Sequence, residues 1–260
     1  MTARIGIDIG STATKVAVLE GDELAGTLLL PTGFNSAEVA ARVKDELAQR
    51  GYAPGNSRMV ATGYGRVAVP YADRTVTEIT CHGRGAAYLF GPDGVVVDVG
   101  GQDTKTIRLV GGRVVKFLMN DKCAAGTGRF YEAMARSFEM TLPEFSNLSL
   151  GAKNVIPITA QCTVFAESEV ITLVGEGKPM DEIAAGIQMA VAKRCFVMAK
   201  KAGATDSITL TGGCAKNAGL KQAIEHVLKL KVIDLKTDPQ LMGALGAAEY
   251  ARQKGLSKGV

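Results

Sequence analysis

Two kinds of residue in this sequence are placed for chemistry: cysteines that precede helices and aspartates that end strands. Cys123 lies in the loop Asn120-Asp121-Lys122-Cys123-Ala124-Ala125-Gly126-Thr127-Gly128-Arg129, just before a helical run over 130–138. Cys162 occupies a matching place in Thr159-Ala160-Gln161-Cys162-Thr163, before a helical run over 164–174. Both loops are small and polar, so neither sulfur is obviously buried, and a helix N-terminus stabilises a thiolate or an anionic group held by thiolates. No C-x-x-C occurs, which disfavours a zinc site within one chain. Iron–sulfur clusters usually take four thiolates, which two copies about a two-fold axis would supply together. On the residues alone, that shared cluster and a redox-active disulfide both stay open. Cys195, inside a long helical run, Cys81 in Thr80-Cys81-His82-Gly83 and Cys214 beside Gly212-Gly213 read as small buried hydrophobes.

The aspartates come in a repeat. Ile5 through Lys15 aligns with Val95 through Lys105, with Asp8/Asp98, Gly10/Gly100, Thr14/Thr104, Lys15/Lys105, Leu19/Leu109 and Gly21/Gly111 identical at one offset. Each copy is an apolar strand, an Asp, a Gly and a tight polar turn, and the agreement in register marks an internal duplication. A carboxylate at the end of a buried strand can hold a hydrated Mg²⁺. Gly10 and Gly100 let the turn backbone approach an anion, as in a phosphate nest. Ser11, Thr12 and Thr14 add hydroxyls and Lys15 a charge. One such turn is equally well a glycine hairpin capped by Asp; two in register favour a pair of facing phosphate grips. No P-loop is present and no complete G-x-G-x-x-G follows a strand.

These groups must be positioned by an α/β fold. Apolar runs over 4–8, 16–19 and 23–30 predict a three-stranded meander. Ser36 is a candidate cap for a helix to about Arg50 with Val39, Val43 and Leu47 on one face and Gly51 at its end. A short strand over 59–62 runs into Gly63-Tyr64-Gly65-Arg66. Beyond the second repeat come a long helix over 180–202 stopped by Gly203, a strand over 208–211 and a helix over 215–228. A strand over 231–234 and a final helix from Leu241 to about Gln253 close the chain. The final helix is rich in small residues that permit close packing.

The 260 residues are 47% hydrophobic and 22% charged, enough for two lobes of roughly 100–130 residues with their own cores. Lobe I is expected over 1–88, with 239–260 packing back on it, and lobe II, carrying both cysteine loops, over 89–238. The formal charge of +4 is spread out, and with no Trp there is no base-stacking platform, so a nucleic-acid partner is not expected. No apolar run approaches the ~20 residues of a membrane span. A strand-like N-terminus leaves no room for a signal peptide, and five cysteines without a small secreted framework point to a reducing cytoplasm.

The ordered segments resemble the actin/Hsp70/sugar-kinase superfamily. Ile5–Val18 and Val95–Lys105 are similar to its two phosphate segments, and Thr77–Ala87 and Leu241–Tyr250 to its connecting segments. Thr209–Asn217 is similar to its adenosine segment. The resemblance implies an actin-like ATPase fold, two duplicated RNase H-like lobes with a nucleotide cleft between them. It places Gly212, Gly213 and Asn217 near adenosine and Gly10, Ser11, Thr12, Ala13, Thr14, Lys15, Gly100 and Gly101 at phosphates. Asp8 would lie near Mg²⁺, and Gln102 or Asp103 near the attacking water. The two cysteine segments, with Phe130 and Cys162-Thr163-Val164-Phe165-Ala166-Glu167-Ser168-Glu169-Val170, resemble the activators, or archerases, of 2-hydroxyacyl-CoA dehydratases. These belong with the benzoyl-CoA reductase ATPase subunits, in the BadF/BadG/BcrA/BcrD-type ATPases. That resemblance implies a homodimer sharing one [4Fe-4S] cluster through Cys123 and Cys162. ATP hydrolysis would drive an electron from ferredoxin or flavodoxin onto an iron–sulfur dehydratase or reductase component, with helices 130–138 and 164–174 carrying the motion. The alternative expectation is a small-molecule kinase, and a third an ATP-dependent scaffold like cell-division actins; neither needs the cysteine loops.

Overall fold

The computed structural model describes residues 2–160, 162–204 and 207–252. The chain divides into two compact units, one of Met1–Pro92, Leu109–Val114 and Lys236–Val260, the other of Asp93–Arg108 and Val115–Leu235.

The first unit is built on a five-stranded sheet. Its strands are β1 (Ala3–Ile9), β2 (Ala13–Glu20), β3 (Glu23–Pro31), β4 (Ser57–Thr62) and β5 (Arg74–Thr75), in the order β3-β2-β1-β4-β5. β1 is central and buried along its whole length, antiparallel to β2 and parallel to β4. Its alternation divides the labour between faces. Ile5, Ile7 and Ile9 pack with Val39, Val43 and Leu47 of α1 (Ser36–Gln49). The cap of α1 is Asn35 rather than Ser36: the Asn35 side chain accepts from the Ala37 N–H, which moves the first helical residue to Ser36.

α2 (Glu78–Leu89) also belongs to this unit. β6 (Gly94–Val99), β7 (Thr104–Val110), β8 (Arg113–Asn120), β9 (Ile208–Thr211) and β10 (Val232–Ile233) form the other sheet, in the order β10-β9-β6-β7-β8, which lies in the second unit except for the β7–β8 turn and the strand residues flanking it within Leu109–Val114. β6 is parallel to β9, and β9 to β10. Helices α3 (Gly128–Ser137), α4 (Leu142–Leu148), α5 (Thr163–Gly175), α6 (Met180–Ala202) and α7 (Ala218–Leu228) surround this sheet's core. In that core Val95, Val97 and Val99 of β6 pack with Phe130 and Met134 of α3, Ile183, Ile187 and Val191 of α6, and Leu220 and Ile224 of α7. α6 spans the predicted residues because acidic Asp181 and Glu182 open it, Lys200 and Lys201 close it, and Gly203 takes the left-handed cap.

α7 starts at Ala218, not 215, because Gly213–Lys216 forms a 3₁₀ turn and Asn217 caps the helix through the Leu220 N–H. The last helix, α8 (Met242–Tyr250), returns to the first unit and packs on α2, β1 and β2. It approaches so closely because Gly6 of β1 has no side chain: a methyl there would overlap the Ala244 carbonyl. Gly85 of α2 and Gly246 of α8 make the same allowance for each other's helix backbone. The predicted end of α8 at Gln253, the remainder of the 239–260 segment beyond Arg252, and Gln161 beside Cys162 lie outside the described residues. Among the described residues no helix is long and apolar enough to cross a membrane.

Candidate functional site

The two repeats fold into the same hairpin. Gly10 N–H donates to Ala13 O (3.1 Å) and Gly100 N–H to Asp103 O (2.9 Å), leaving Ser11-Thr12 and Gly101-Gln102 as two-residue tips. The glycine N–H groups are thereby committed inside the turns. Thr12 and Gln102 are exposed at the tips. A Cβ at Gly100 would stand 2.7 Å from Asp103 Oδ1, and one at Gly10 2.9 Å from Ala13 O. Thr14 is fully buried; its hydroxyl pairs with that of Thr32 (2.9 Å), which donates to Gly10 O (2.8 Å) and so braces the turn.

Asp8 and Lys15 are cross-strand partners, 3.2 Å apart at Oδ2 and Nζ. The second copy keeps the pair more loosely, Lys105 Nζ to Asp98 Oδ2 at 3.5 Å, because Lys105 also binds Asp103 Oδ1 at 2.6 Å. The remaining oxygens differ more. Asp98 Oδ1 accepts from Thr211 (2.8 Å), whereas Asp8 Oδ1, in a residue 2% exposed, has no hydrogen-bond partner among the described residues. Thr62 holds the register position of Thr211 but lies beside the Cys81 thiol. An orphaned buried carboxylate oxygen at a strand end fits a cation with its own water shell.

The duplication reaches one residue further than the sequence reading took it. Gly212 (φ +81°) follows β9 and crowds Val99 O and Asp98; Gly63 (φ +84°) follows β4 and crowds Ile9 O and Asp8 in the same way. Both need a left-handed backbone without a side chain. Gly63 was missed as a counterpart because the match appears only once β4 is paired with β1. Gly213 is exposed, while Asn217 Oδ1 is engaged by Leu220 N–H and the Ser146 hydroxyl (each 2.9 Å).

Both cysteines of interest are exposed, and Cys81, Cys195 and Cys214 are buried. Burial pushes each of those three thiols up to about 12, so they stay protonated near neutrality. The Cys123 loop is held from several sides. Asn120 Nδ2 donates to Cys123 O (3.3 Å), and Thr127, the N-cap of α3, closes on Ala124 O through its hydroxyl (2.6 Å). Arg194 of α6 lies against Gly126 and over the Phe130 ring, a cation behind the loop. Cys162 is itself the N-cap of α5 and makes no side-chain cap bond.

The approach to Cys162 runs over Gly186 of α6, where Ile156 N–H donates to Glu182 O (3.2 Å). It ends on Glu169 of α5, which accepts from Thr159 N–H, the Thr159 hydroxyl and Ala160 N–H at 2.8–3.1 Å. Slight burial pushes the Glu169 carboxyl up, but these hydrogen bonds outweigh it and hold it below the usual range. α3 and α5 pack together, with Ser137 donating to Glu167 (3.2 Å). Among the described residues no three His, Cys, Asp or Glu converge on one point.

Known proteins resemble this chain over nearly its whole length. The chain is 41% identical over 98% of its length to the activator of lactoyl-CoA dehydratase of Anaerotignum propionicum, covering 99% of that protein. It superposes on the activator of the 2-hydroxyisocaproyl-CoA dehydratase from Clostridium difficile, solved with bound ADPNP, with a TM-score of 0.87 at 38% identity, covering 96% of this chain and 94% of that one. The (R)-2-hydroxyglutaryl-CoA dehydratase component A of Acidaminococcus fermentans gives 0.89 at 37% identity, covering 96% and 97%. The paired mixed sheets with their helices are thus the actin-like ATPase fold. With residues 5–251 matching it, the chain belongs to the BadF/BadG/BcrA/BcrD ATPase family.

Proposed function

We propose that this chain is an ATP-hydrolysing activator that delivers electrons one at a time to an iron–sulfur dehydratase or reductase component acting on a 2-hydroxyacyl-CoA or related thioester. The observation that carries the reading is the pair of exposed thiols, Cys123 and Cys162, before two packed helices of an ATPase-family fold. A kinase has no use for them. The names of its full-length relatives support the activator role, and the ADPNP of a solved relative supports nucleotide binding.

The donor set fits half of a [4Fe-4S] cluster. Two thiolates per chain, with the Arg194 cation behind one and a helix N-terminus at the other, suit an anionic group that a second copy completes. α5 supports the homodimer, because Val164 and Phe165 stand well exposed in the turn after Cys162 and Ile171 further along the helix. When bound, such a cluster supplies one-electron chemistry at low potential.

The remaining work belongs to the chain. Asp8 offers its unpartnered oxygen to hydrated Mg²⁺ and holds Lys15 toward phosphate. Gln102, exposed at a tip, is free to orient the attacking water, while Asp103 is occupied with Lys105. Gly212 and Gly213 allow the adenosine moiety a close approach to backbone. Ferredoxin or flavodoxin is the class of donor.

The test is purification without oxygen. A brown dimer with about four irons per two chains, bleached by air and lost in Cys123→Ala and in Cys162→Ala, is expected. It should reduce a partner dehydratase only while ATP is hydrolysed. A colourless, air-stable monomer, or reduction that proceeds equally without ATP, would defeat the reading.

A further inference from the structure

Within the second unit, the phosphate hairpin and the Cys123 loop are bonded directly. Thr104 Oγ1 donates to Gly126 O (2.6 Å), Gly128 N–H to Gly100 O (2.8 Å) and Arg129 N–H to Gly101 O (2.9 Å). All three bonds join the hairpin to the four residues Gly126–Arg129, which end the cysteine loop and begin α3. Thr104 is 3% exposed, so its hydroxyl has no solvent alternative. Gly128 is needed for the approach, since a Cβ there would stand 3.1 Å from Gly101 Cα and 3.2 Å from Gly100 O. The Cys162 approach is anchored elsewhere: Ile156 bonds to α6, and Thr159 and Ala160 bond to Glu169 of α5.

We infer that the two cysteine loops respond unequally to nucleotide: the hairpin drives the Cys123 loop through this three-bond strut, with Thr104 as its positioning residue, and the Cys162 loop stays fixed to its own helix. The inference rests on the reading of Gly100–Gln102 as a phosphate grip. A change at the hairpin tip shifts Gly100 O and Gly101 O, the acceptors of the first N–H groups of α3. Thr104, at the base of the same turn, moves Gly126 with them. α5 then receives the motion second-hand, through its packing on α3.

The strut reports on itself, because the Gly128 and Arg129 amides are its donors. Hydrogen exchange, read by mass spectrometry, is compared for the full-length chain saturated with ADP or with ADPNP and Mg²⁺. Nucleotide binding is titrated on the same samples. Peptides over 124–131 are expected to differ about fivefold or more between the two nucleotides, and peptides over 157–165 less than about twofold. Thr104→Val should erase the difference and Thr104→Ser retain it. Should Thr104→Val not fold, Gly128→Ala, whose methyl wedges against Gly101, serves the same comparison. Equal responses at both loops, or a full response in Thr104→Val, would overturn the strut while leaving nucleotide binding intact. A chain that binds neither nucleotide overturns the functional reading and the strut together.

Discussion

Asp8 and Asp98 are the same residue in two copies of one hairpin, yet their surroundings assign them different work. Asp98 is engaged by Thr211 and Lys105, while Asp8 keeps one buried oxygen without a partner among the described residues. Asp8→Asn is therefore expected to lower ATP hydrolysis by about 10²-fold or more in a phosphate-release assay, and, because it also weakens the pair with Lys15, to lower the urea midpoint as well. Asp98→Asn should act chiefly on the fold, destabilising it by roughly 3 kcal/mol because the buried Lys105 loses part of its compensation.

The thiols separate in the same way. In metal-free chain at pH 8, iodoacetamide should modify Cys123 and Cys162 and spare Cys81, Cys195 and Cys214, as mass spectrometry of peptides would show. The buried three also set an alkaline limit. Below about 8.5 they are protonated in both folded and unfolded chains and their contribution is complete. Above it the unfolded chain ionises first, and stability falls until the folded values near 12 are reached. At pH 10 each thiol should cost about 2 kcal/mol, and Cys195→Ala should flatten the decline in urea midpoint between pH 8 and 10. Residue types announced the aspartates and cysteines from sequence alone. The unpartnered oxygen of Asp8 and the counterpart role of Gly63 depend on strand pairing, which no residue type records.

At the scale of elements, periodicity located the long amphipathic and buried segments well, α6 and β9 to the residue, since their ends carry their own stop signals. It failed where a local competitor decided the boundary. Asn35 and Ser36 are both good caps, and which one wins depends on where the preceding turn delivers the chain. The helix α4 escaped notice although Thr141-Leu142-Pro143-Glu144 is a complete capping box, with both reciprocal bonds formed, because the helix is too short to show a period. The small residues of α8 were legible, but their partners Gly6 and Gly85 were not, being far away in sequence. Those contacts make a sharp prediction. Gly246→Ala places a methyl onto the Cys81 carbonyl, where backbone and not a flexible side chain must yield. An overpacking cost of about 3 kcal/mol is expected, read as a lower urea midpoint with an unchanged slope. Gly175→Ala, with open space around it, should leave the midpoint unchanged.

At the scale of the whole molecule, one chain offers two exposed thiols and a helix with apolar residues facing outward, and the proposed shared cluster would use both through a second copy. α5 buries only Ala166 and Val170, while Phe165 is 69% and Val164 65% exposed one turn from Cys162. A solitary apolar side chain on a surface means little; several on one helix beside the same cysteine define a patch. Sequence displayed the apolar content of α5 but not its exposure, which depends on which face α3 and α6 cover. A two-fold axis at this patch makes the same residues serve both partners and sets two thiols from each copy near one point. Phe165→Glu would then place two like charges where two aromatic rings met. Light scattering should show the variant at half the wild-type mass, and iron retained after anaerobic desalting should fall in proportion to the monomer fraction. ADPNP affinity should persist, because the residues proposed to hold the nucleotide lie on other elements. A Phe165→Glu chain that stayed dimeric with its full iron would move the axis away from α5, and the pairing of Cys123 and Cys162 across copies would have to be sought on another face.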